Sequence, residues 1–189
     1  MSTALQITIA EYDRLTKRGF FEQLRNRRVE LIRGEMRQMS PPGPRHEEVV
    51  DALSEWSHEQ VDLTAVRIRV QSSVGLPELD SVPLPDVAWV RRRSYRKARP
   101  EGADVFLVIE VADSSRNYDR GAKAKLYAEA GIADYWVVNL RDSSIEVFRD
   151  PQDGLYQSHE VFDRGHTVRS LRFPKLKLSV TKLFEWSAT

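Results

Sequence analysis

The stretch that decides the fold runs from residue 105 to residue 140 and contains VFLVIEV (105–111), DRGAKAKLYAEAG (119–131) and YWVVNL (135–140). The two apolar runs are typical of strands that are covered on both faces. The segment between them is typical of a helix that ends at Gly131. Strand, helix and strand in this order predict a crossover connection, and we expect it at the centre of the fold.

Further elements are predicted on both sides of this centre. Thr8 and Glu11 have the spacing of a capping box, which predicts a helix over residues 9–17 that stops near Gly19. Residues 29–39 alternate in two short segments that meet at Gly34, a pattern that predicts a β-hairpin. The other predicted elements are a helix over residues 45–61, strands over 66–70 and 85–90, strands or loop edges over 144–149, 156–161 and 167–173, and a helical turn over 181–186. We interpret this order as one mixed α/β domain, residues 1–189.

Composition excludes several classes of protein. The chain has 189 residues with 29 Lys and Arg against 28 Asp and Glu, so its net charge of +1 does not mark it as a general binder of nucleic acid or membranes. It has no cysteine, which excludes zinc fingers, disulfides and thiol nucleophiles. The first residues lack the layout of a secretory signal, and no apolar run approaches the roughly 20 residues that span a bilayer. We interpret the protein as cytoplasmic, with no membrane partner.

Two carboxylates stand at unusual places. Asp86 opens a strand and Glu110 lies near the end of the most apolar strand, 24 positions later, which leaves room for one strand, a turn and a return. Each residue alone could be an ordinary turn or arginine-paired acid. Together they favour a divalent cation, because Mg²⁺ binds one or two carboxylates plus waters and phosphate oxygens.

A lysine is the third candidate. At about 100° per residue, Lys123 falls on the apolar stripe of its helix, whereas Lys125 points away beside Glu129. Lys123 could extend its ammonium along the helix to solvent. Alternatively it could reach the carboxylates and hold a phosphate oxygen or an attacking water, with a pKa lowered by desolvation.

Glu30 and His46 are weaker candidates on spacing alone. Alternation places Glu30 opposite Val29 and Leu31, which predicts that it faces solvent. His46 begins the second helix and could be a ligand or a general base, although a single histidine in that position is more often a surface residue.

A basic segment, residues 91–99, follows the Asp86 strand. It could be a solvated loop or a surface that contacts phosphates close to the acidic residues. Arg25, Arg27 and Arg28 precede Glu30, so cations stand on both sides of the acids in the sequence. The candidate nucleic-acid-binding residues are His46, Arg91, Arg92, Arg93, Arg96 and Lys97.

Several of these motifs together resemble the Uma2 family, which belongs to the PD-(D/E)XK nuclease superfamily. The resemblance rests on Pro85-Asp86, Glu110-Val111, the segment from Asp119 to Lys123, Tyr127, Ala130-Gly131 and the segment from Tyr135 to Val138. The N-terminal half adds the segments from Glu30 to Glu35 and from Pro41 to His46. The resemblance as a whole covers about residues 7–184.

The resemblance implies a restriction-endonuclease-like core, a mixed sheet flanked by helices, with an N-terminal hairpin and extra C-terminal strands. It implies a Mg²⁺ or Mn²⁺ site on Asp86 and Glu110, with Glu30 as an additional acid. The superfamily pattern has a lysine two residues after the second acid, where this chain has Ala112. The family resembled here uses a lysine on the following helix, which Lys123 matches. The implied activity is metal-dependent endonucleolytic cleavage of DNA, by a homodimer.

Two alternatives stay open at this point. The first is a catalytically silent nucleic-acid-binding or regulatory module on the same fold, in which the acids serve stability. The second is a structural homo-oligomer, suggested by the apolar segment over residues 176–186, which could cover a sheet edge or a neighbouring molecule.

Overall fold

The computed structural model describes residues 6–22 and 28–186, so Arg25 and Arg27 lie outside the described residues. The helices are α1 (Ile9–Lys17), α2 (Pro44–Gln60), α3 (Arg116–Tyr118), α4 (Ala124–Glu129) and α5 (Val180–Trp186). The strands are β1 (Val29–Ile32), β2 (Glu35–Gln38), β3 (Val66–Val70), β4 (Val87–Arg91), β5 (Val105–Ala112), β6 (Asp134–Asn139), β7 (Ser144–Gln152), β8 (Leu155–Phe162), β9 (Thr167–Arg169) and β10 (Lys177–Ser179). None of the described helices is long and apolar enough to cross a membrane.

A six-stranded mixed sheet forms the centre, in the order β3-β4-β5-β6-β7-β8. Strands β5 and β6 are parallel and the other neighbours are antiparallel. The crossover between the parallel pair contains α3 and α4, so the predicted strand, helix and strand are confirmed. The hairpin β1–β2 and the capping box of α1 are also confirmed.

Each face of the sheet is covered by a different set of apolar side chains. Helices α2 and α5 cover the first face, where Trp56 lies 5.2 Å from Trp89 and 6.1 Å from Trp136 between ring centroids. Helix α4 covers the second face, where Tyr127 and Tyr135 are fully buried. Alternation along β4 and β5 places Ala88 and Val108 on the second face. Asp86 is two residues from Ala88 and Glu110 is two residues from Val108, so both acids lie on that face as well.

The C-terminal segment packs on its own chain. Leu178, Val180, Leu183 and Phe184 are buried against α2 and the first face of the sheet. The apolar character of residues 176–186 is therefore explained within one molecule, and it gives no support to the structural homo-oligomer alternative.

The crossover helix differs from its prediction. It begins at Arg116, three residues before the predicted start, and residues Asp119–Lys123 form a π-helical turn between α3 and α4. Regular helical spacing cannot reveal such a turn, because it inserts one extra residue into the hydrogen-bond ladder. Strand β10 was also missed in the sequence, since three residues are too short for a periodic signal.

Candidate active site

The register of the sheet brings Asp86 next to Glu110. Val87 pairs with Ile109 across antiparallel strands, so the two acids follow at the same end of β4 and β5. The backbone N–H of Val111 donates to Oδ2 of Asp86 at 2.9 Å. Both carboxylates are buried, at 4% and 2% exposure. This proximity agrees with the prediction that the chain between Asp86 and Glu110 forms one strand, turns, and runs back beside it.

Glu30 lies in the same cluster, and the expectation that it faces solvent is wrong. Alternation does separate it from Val29 and Leu31, which pack with Tyr12 in a small core beneath the hairpin. The opposite side of β1, however, faces the second face of the sheet and not solvent, so all four residues of the strand are buried. Oε1 of Glu30 accepts hydrogen bonds from the backbone N–H of Leu84 at 2.7 Å and lies 3.1 Å from Nζ of Lys123.

Lys123 reaches the acids from the end of the π-helical turn. Its Nζ lies 2.9 Å from Oε1 of Glu110, and its side chain is almost fully buried. Burial opposes the charged form, but the charges of Glu110 and Glu30 outweigh it and raise the pKa of Lys123 well above its ordinary value. The expectation of a lowered pKa is therefore wrong. Lys125 is exposed beside Glu129, as predicted.

Glu110 carries an excess of negative neighbours. Its Oε1 accepts both from Lys123 and from the Tyr127 hydroxyl, at 2.8 Å. Burial raises the pKa of Glu110 well above its ordinary value, Lys123 acts in the opposite direction, and Asp86, Asp119 and Glu30 raise it further. Burial and the three acids outweigh Lys123 at Glu110, so the pocket favours either a proton on Glu110 or an added cation.

His46 is a partner of Asp86 and not a surface residue. Its Nε2 lies 3.2 Å from Oδ2 of Asp86, and the histidine side chain is only 16% exposed. Burial alone would raise the pKa of Asp86, but the hydrogen bond and charge of His46 lower it overall. Burial likewise opposes the charged imidazole, yet Asp86 raises the pKa of His46.

Sequence reasoning missed Gln71. It follows β3 in the left-handed backbone region, with φ of 46°, where a residue other than glycine is uncommon. Its side-chain amide donates to Oδ1 of Asp86 at 3.3 Å and its carbonyl oxygen accepts from Arg28. The sequence carries no signal for this bridge.

Asp119, Tyr118 and Tyr127 were also not assigned to the site. Asp119 and Tyr127 belong to the motifs behind the family resemblance, so a signal for them existed. Tyr118 had none. The centroid of the Tyr118 ring lies 6.0 Å from Nζ of Lys123 and 5.0 Å from the guanidinium carbon of Arg37.

Apart from Tyr127, these site residues line one cavity of about 560 Å³. Its walls come from the loop over residues 39–43, the loop over residues 113–115 and the turn that carries Lys123. Two buried polar atoms on residues of this lining, Nδ1 of His46 and the hydroxyl oxygen of Tyr118, have no hydrogen-bond partner among the described residues. A polar ligand in the cavity is the natural partner for such atoms.

The predicted basic segment does not line this cavity, although Arg28 and Arg37 do. Strand β4 starts beside Asp86 and runs away from it for five residues, about 17 Å, before the segment begins. Arg93 pairs with Asp104 at 2.5 Å, and Arg91 lies 3.9 Å from the same carboxylate. Residues 91–97 are therefore close to Asp86 in the sequence, but they do not line the cavity.

The donor set suits a hard divalent cation. Within residues 6–22 and 28–186, no three His, Asp or Glu side chains form a ready-made metal cluster, the arrangement that a structural zinc ion requires. Mg²⁺ and Mn²⁺ accept carboxylate oxygens and complete their shell with waters and substrate. Asp86, Glu110 and the partnerless polar atoms beside them fit this requirement.

Comparisons with known proteins agree with the sequence resemblance. The Uma2 family model, described as "Putative restriction endonuclease", matches residues 9–181. The chain is similar to a protein from Anabaena variabilis ATCC 29413, whose crystal structure is described as that of "a putative nuclease belonging to DUF820". The identity is 19%, the TM-score is 0.68, and the match covers 84% of this chain and 90% of that chain. This likeness confirms the expected fold class. A search of curated proteins found no match.

Proposed function

Because the chain belongs to the Uma2 family of restriction-endonuclease-like proteins, we propose that it is a metal-dependent endonuclease that hydrolyses phosphodiester bonds of DNA. Family membership supports a nuclease. The observation that carries the finer proposal is the meeting of Glu30, Asp86, Glu110 and Lys123 in one cavity. We propose further that residues 1–189 form one domain that works in the cytoplasm as a homodimer.

Asp86 and Glu110 would hold the cation, Mg²⁺ or Mn²⁺. When bound, such an ion polarises the phosphodiester as a Lewis acid. Asp86 is ready for this role because His46, Gln71 and the N–H of Val111 hold its carboxylate in one orientation. Because the pKa of Glu110 is raised in the cavity, binding of the cation competes with protonation of this carboxylate.

Lys123 stays charged, so it serves as a donor and not as a base. Its ammonium has three N–H donors, of which two are directed to Glu110 and Glu30. The third can hold a non-bridging phosphate oxygen or orient the attacking water. Glu30, anchored by the N–H of Leu84, keeps the ammonium at this position.

The test is cleavage of DNA of genomic complexity, single- and double-stranded, with Mg²⁺ or Mn²⁺. We expect cutting by the unaltered chain that is lost in Asp86→Ala and Lys123→Ala and retained in Lys125→Ala, whose lysine is exposed outside the cavity. Cutting that survives in both cavity variants would assign the activity to a contaminant. Metal-independent binding of DNA without cutting would instead assign the silent binding module.

A further inference from the structure

The edge strand β3 carries a row of polar residues that leads into the cavity. Arg67 and Arg69 alternate with apolar residues, so they share one side of the strand. Arg69 pairs with Ala88 and Arg67 with Val90, both on the second face of the sheet. Gln71 ends the row at Asp86. By strand geometry, the two arginines lie about 7 and 14 Å from Asp86 along the sheet.

Neither of these arginines has an anionic partner in the part of the chain that the structure describes. No carboxylate of the described residues forms an ion pair with Arg67 or Arg69. The buried Nε of Arg69 has no hydrogen-bond partner in this part of the chain, and its Nη2 makes only a long contact of 3.4 Å to the carbonyl of Ser73. Two unpaired like charges two residues apart on a strand are unfavourable unless an anion joins them.

Tyr95 brings a third cation, Arg93, to the same place, and this one is already paired with Asp104. The guanidinium carbon of Arg69 lies 5.8 Å from the centroid of the Tyr95 ring, and that of Arg93 lies 5.2 Å from it. The ring attracts both cations and holds them in position. The basic segment that follows β4 therefore folds back over β3, on the face that bears Asp86 and Glu110.

We propose that Arg67 and Arg69, with Arg93 beside Arg69 at the Tyr95 ring, form a phosphate-binding surface, the β3 arginine face, for the nucleic-acid backbone that extends from the cavity. The inference rests on the proposed function, because it places the scissile phosphate at Asp86 and Glu110. It adds the path of the substrate: one strand passes from the cavity, past Gln71, along the edge of the sheet. Contacts with phosphates position a nucleic acid without reading its sequence.

The test measures binding of a fluorescently labelled 30-base-pair DNA duplex by anisotropy at several salt concentrations, with Ca²⁺ as the cation. The variants are the double changes Arg67→Gln with Arg69→Gln and Arg67→Lys with Arg69→Lys, and the control Arg164→Gln. Arg164 follows β8, at the opposite edge of the sheet. We expect the double glutamine variant to bind roughly tenfold more weakly, with a salt slope smaller by about 2. The loss should be equal for duplexes of unrelated sequence.

Each outcome has one meaning. The double lysine variant keeps the charge, so it should retain the salt slope and show that the loss comes from charge and not from misfolding. Unchanged affinity and slope in the double glutamine variant, with normal binding by the unaltered chain, would overturn the β3 arginine face and leave the nuclease proposal intact. Absence of binding by the unaltered chain would overturn both.

Discussion

The hydroxyl of Tyr127 donates to Oε1 of Glu110 at 2.8 Å, and both side chains are buried. The two residues come from different layers, helix α4 and strand β5, and of the two only Glu110 lines the cavity. Lys123 approaches the same oxygen, so Oε2 of Glu110 receives neither of these bonds. Tyr127 therefore fixes which carboxylate oxygen is presented to a ligand.

Replacement of Tyr127 by Phe tests this positioning role. We expect a loss of about 1–2 kcal/mol in the free energy of unfolding, because a buried hydrogen bond to a carboxylate is removed. We also expect a weaker apparent affinity for Mn²⁺ in the cleavage assay. The control is Tyr156→Phe, which removes a hydrogen bond to the carbonyl of Ile132 outside the cavity. Equal effects of both variants on the metal dependence would contradict the role of Tyr127.

Lys123→Met should be strongly destabilising. It leaves Glu30 and Glu110 buried without their cation, a change that costs about 3 kcal/mol or more. Without the lysine the pKa of Glu110 rises further, because only burial and like charges remain. A carboxyl group whose pKa is raised in the folded state makes the fold less stable as pH rises from its ordinary pKa to the raised one. This happens in both chains but extends to higher pH in the variant, so the deficit should be larger at about pH 8 than at about pH 5. Urea denaturation at both pH values measures it.

Lys125→Met is the matched control for that experiment. Its ammonium is exposed and lies 3.9 Å from Glu129 on the same helix. Such a surface pair contributes little to stability. A deficit for Lys123→Met that is small, or independent of pH, would show that the ammonium does not neutralise the buried acids.

The centre of the fold could be predicted because it depends on local patterns. The apolar runs that became β5 and β6 are long and contain no glycine or proline, and the capping box of α1 is a contact within four residues. The pair of Asp86 and Glu110 followed from the length of chain between them. Helical spacing singled out Lys123, and the family resemblance then added Glu30, which spacing alone placed toward solvent.

The remaining features depend on packing between distant segments. Glu30 is buried because the hairpin lies on the sheet, and alternation cannot show which side of a hairpin meets solvent. The pKa of Lys123 depends on how many carboxylates surround it, a number that only the fold determines. The contacts of Gln71 depend on a left-handed backbone at a residue that rarely adopts one. The direction of β4 decided that the basic segment begins away from the cavity.

Metal binding should release protons. Burial and neighbouring acids raise the pKa of Glu110, whereas a divalent cation requires its carboxylate. Calorimetric titration of Mn²⁺ into the metal-free chain should therefore give an enthalpy that depends on the ionisation enthalpy of the buffer, measured in PIPES and in Tris. The affinity should increase with pH.

Glu110→Gln provides the comparison for this titration. The amide has nearly the same shape and no proton to release, so both binding and its buffer dependence should be lost. Asp86→Asn should also weaken binding. An enthalpy that is the same in both buffers for the unaltered chain would contradict the raised pKa of Glu110.

The pair of His46 and Asp86 should stabilise the fold within a limited range of pH. Asp86 raises the pKa of His46, so the contribution of the histidine is complete below about pH 6.5, its ordinary pKa, and is lost as pH rises through the raised value. His46 lowers the pKa of Asp86, so the contribution of the aspartate is present above about pH 4 and is lost as pH falls through the lowered value. His46→Gln, which keeps a donor but not the charge, should cost about 1 kcal/mol at pH 5.5 and less at pH 9. Urea denaturation at the two pH values measures this, with His58→Gln, an exposed histidine on the same helix, as the control. A deficit of equal size at both pH values would show that the histidine beside Asp86 is neutral throughout.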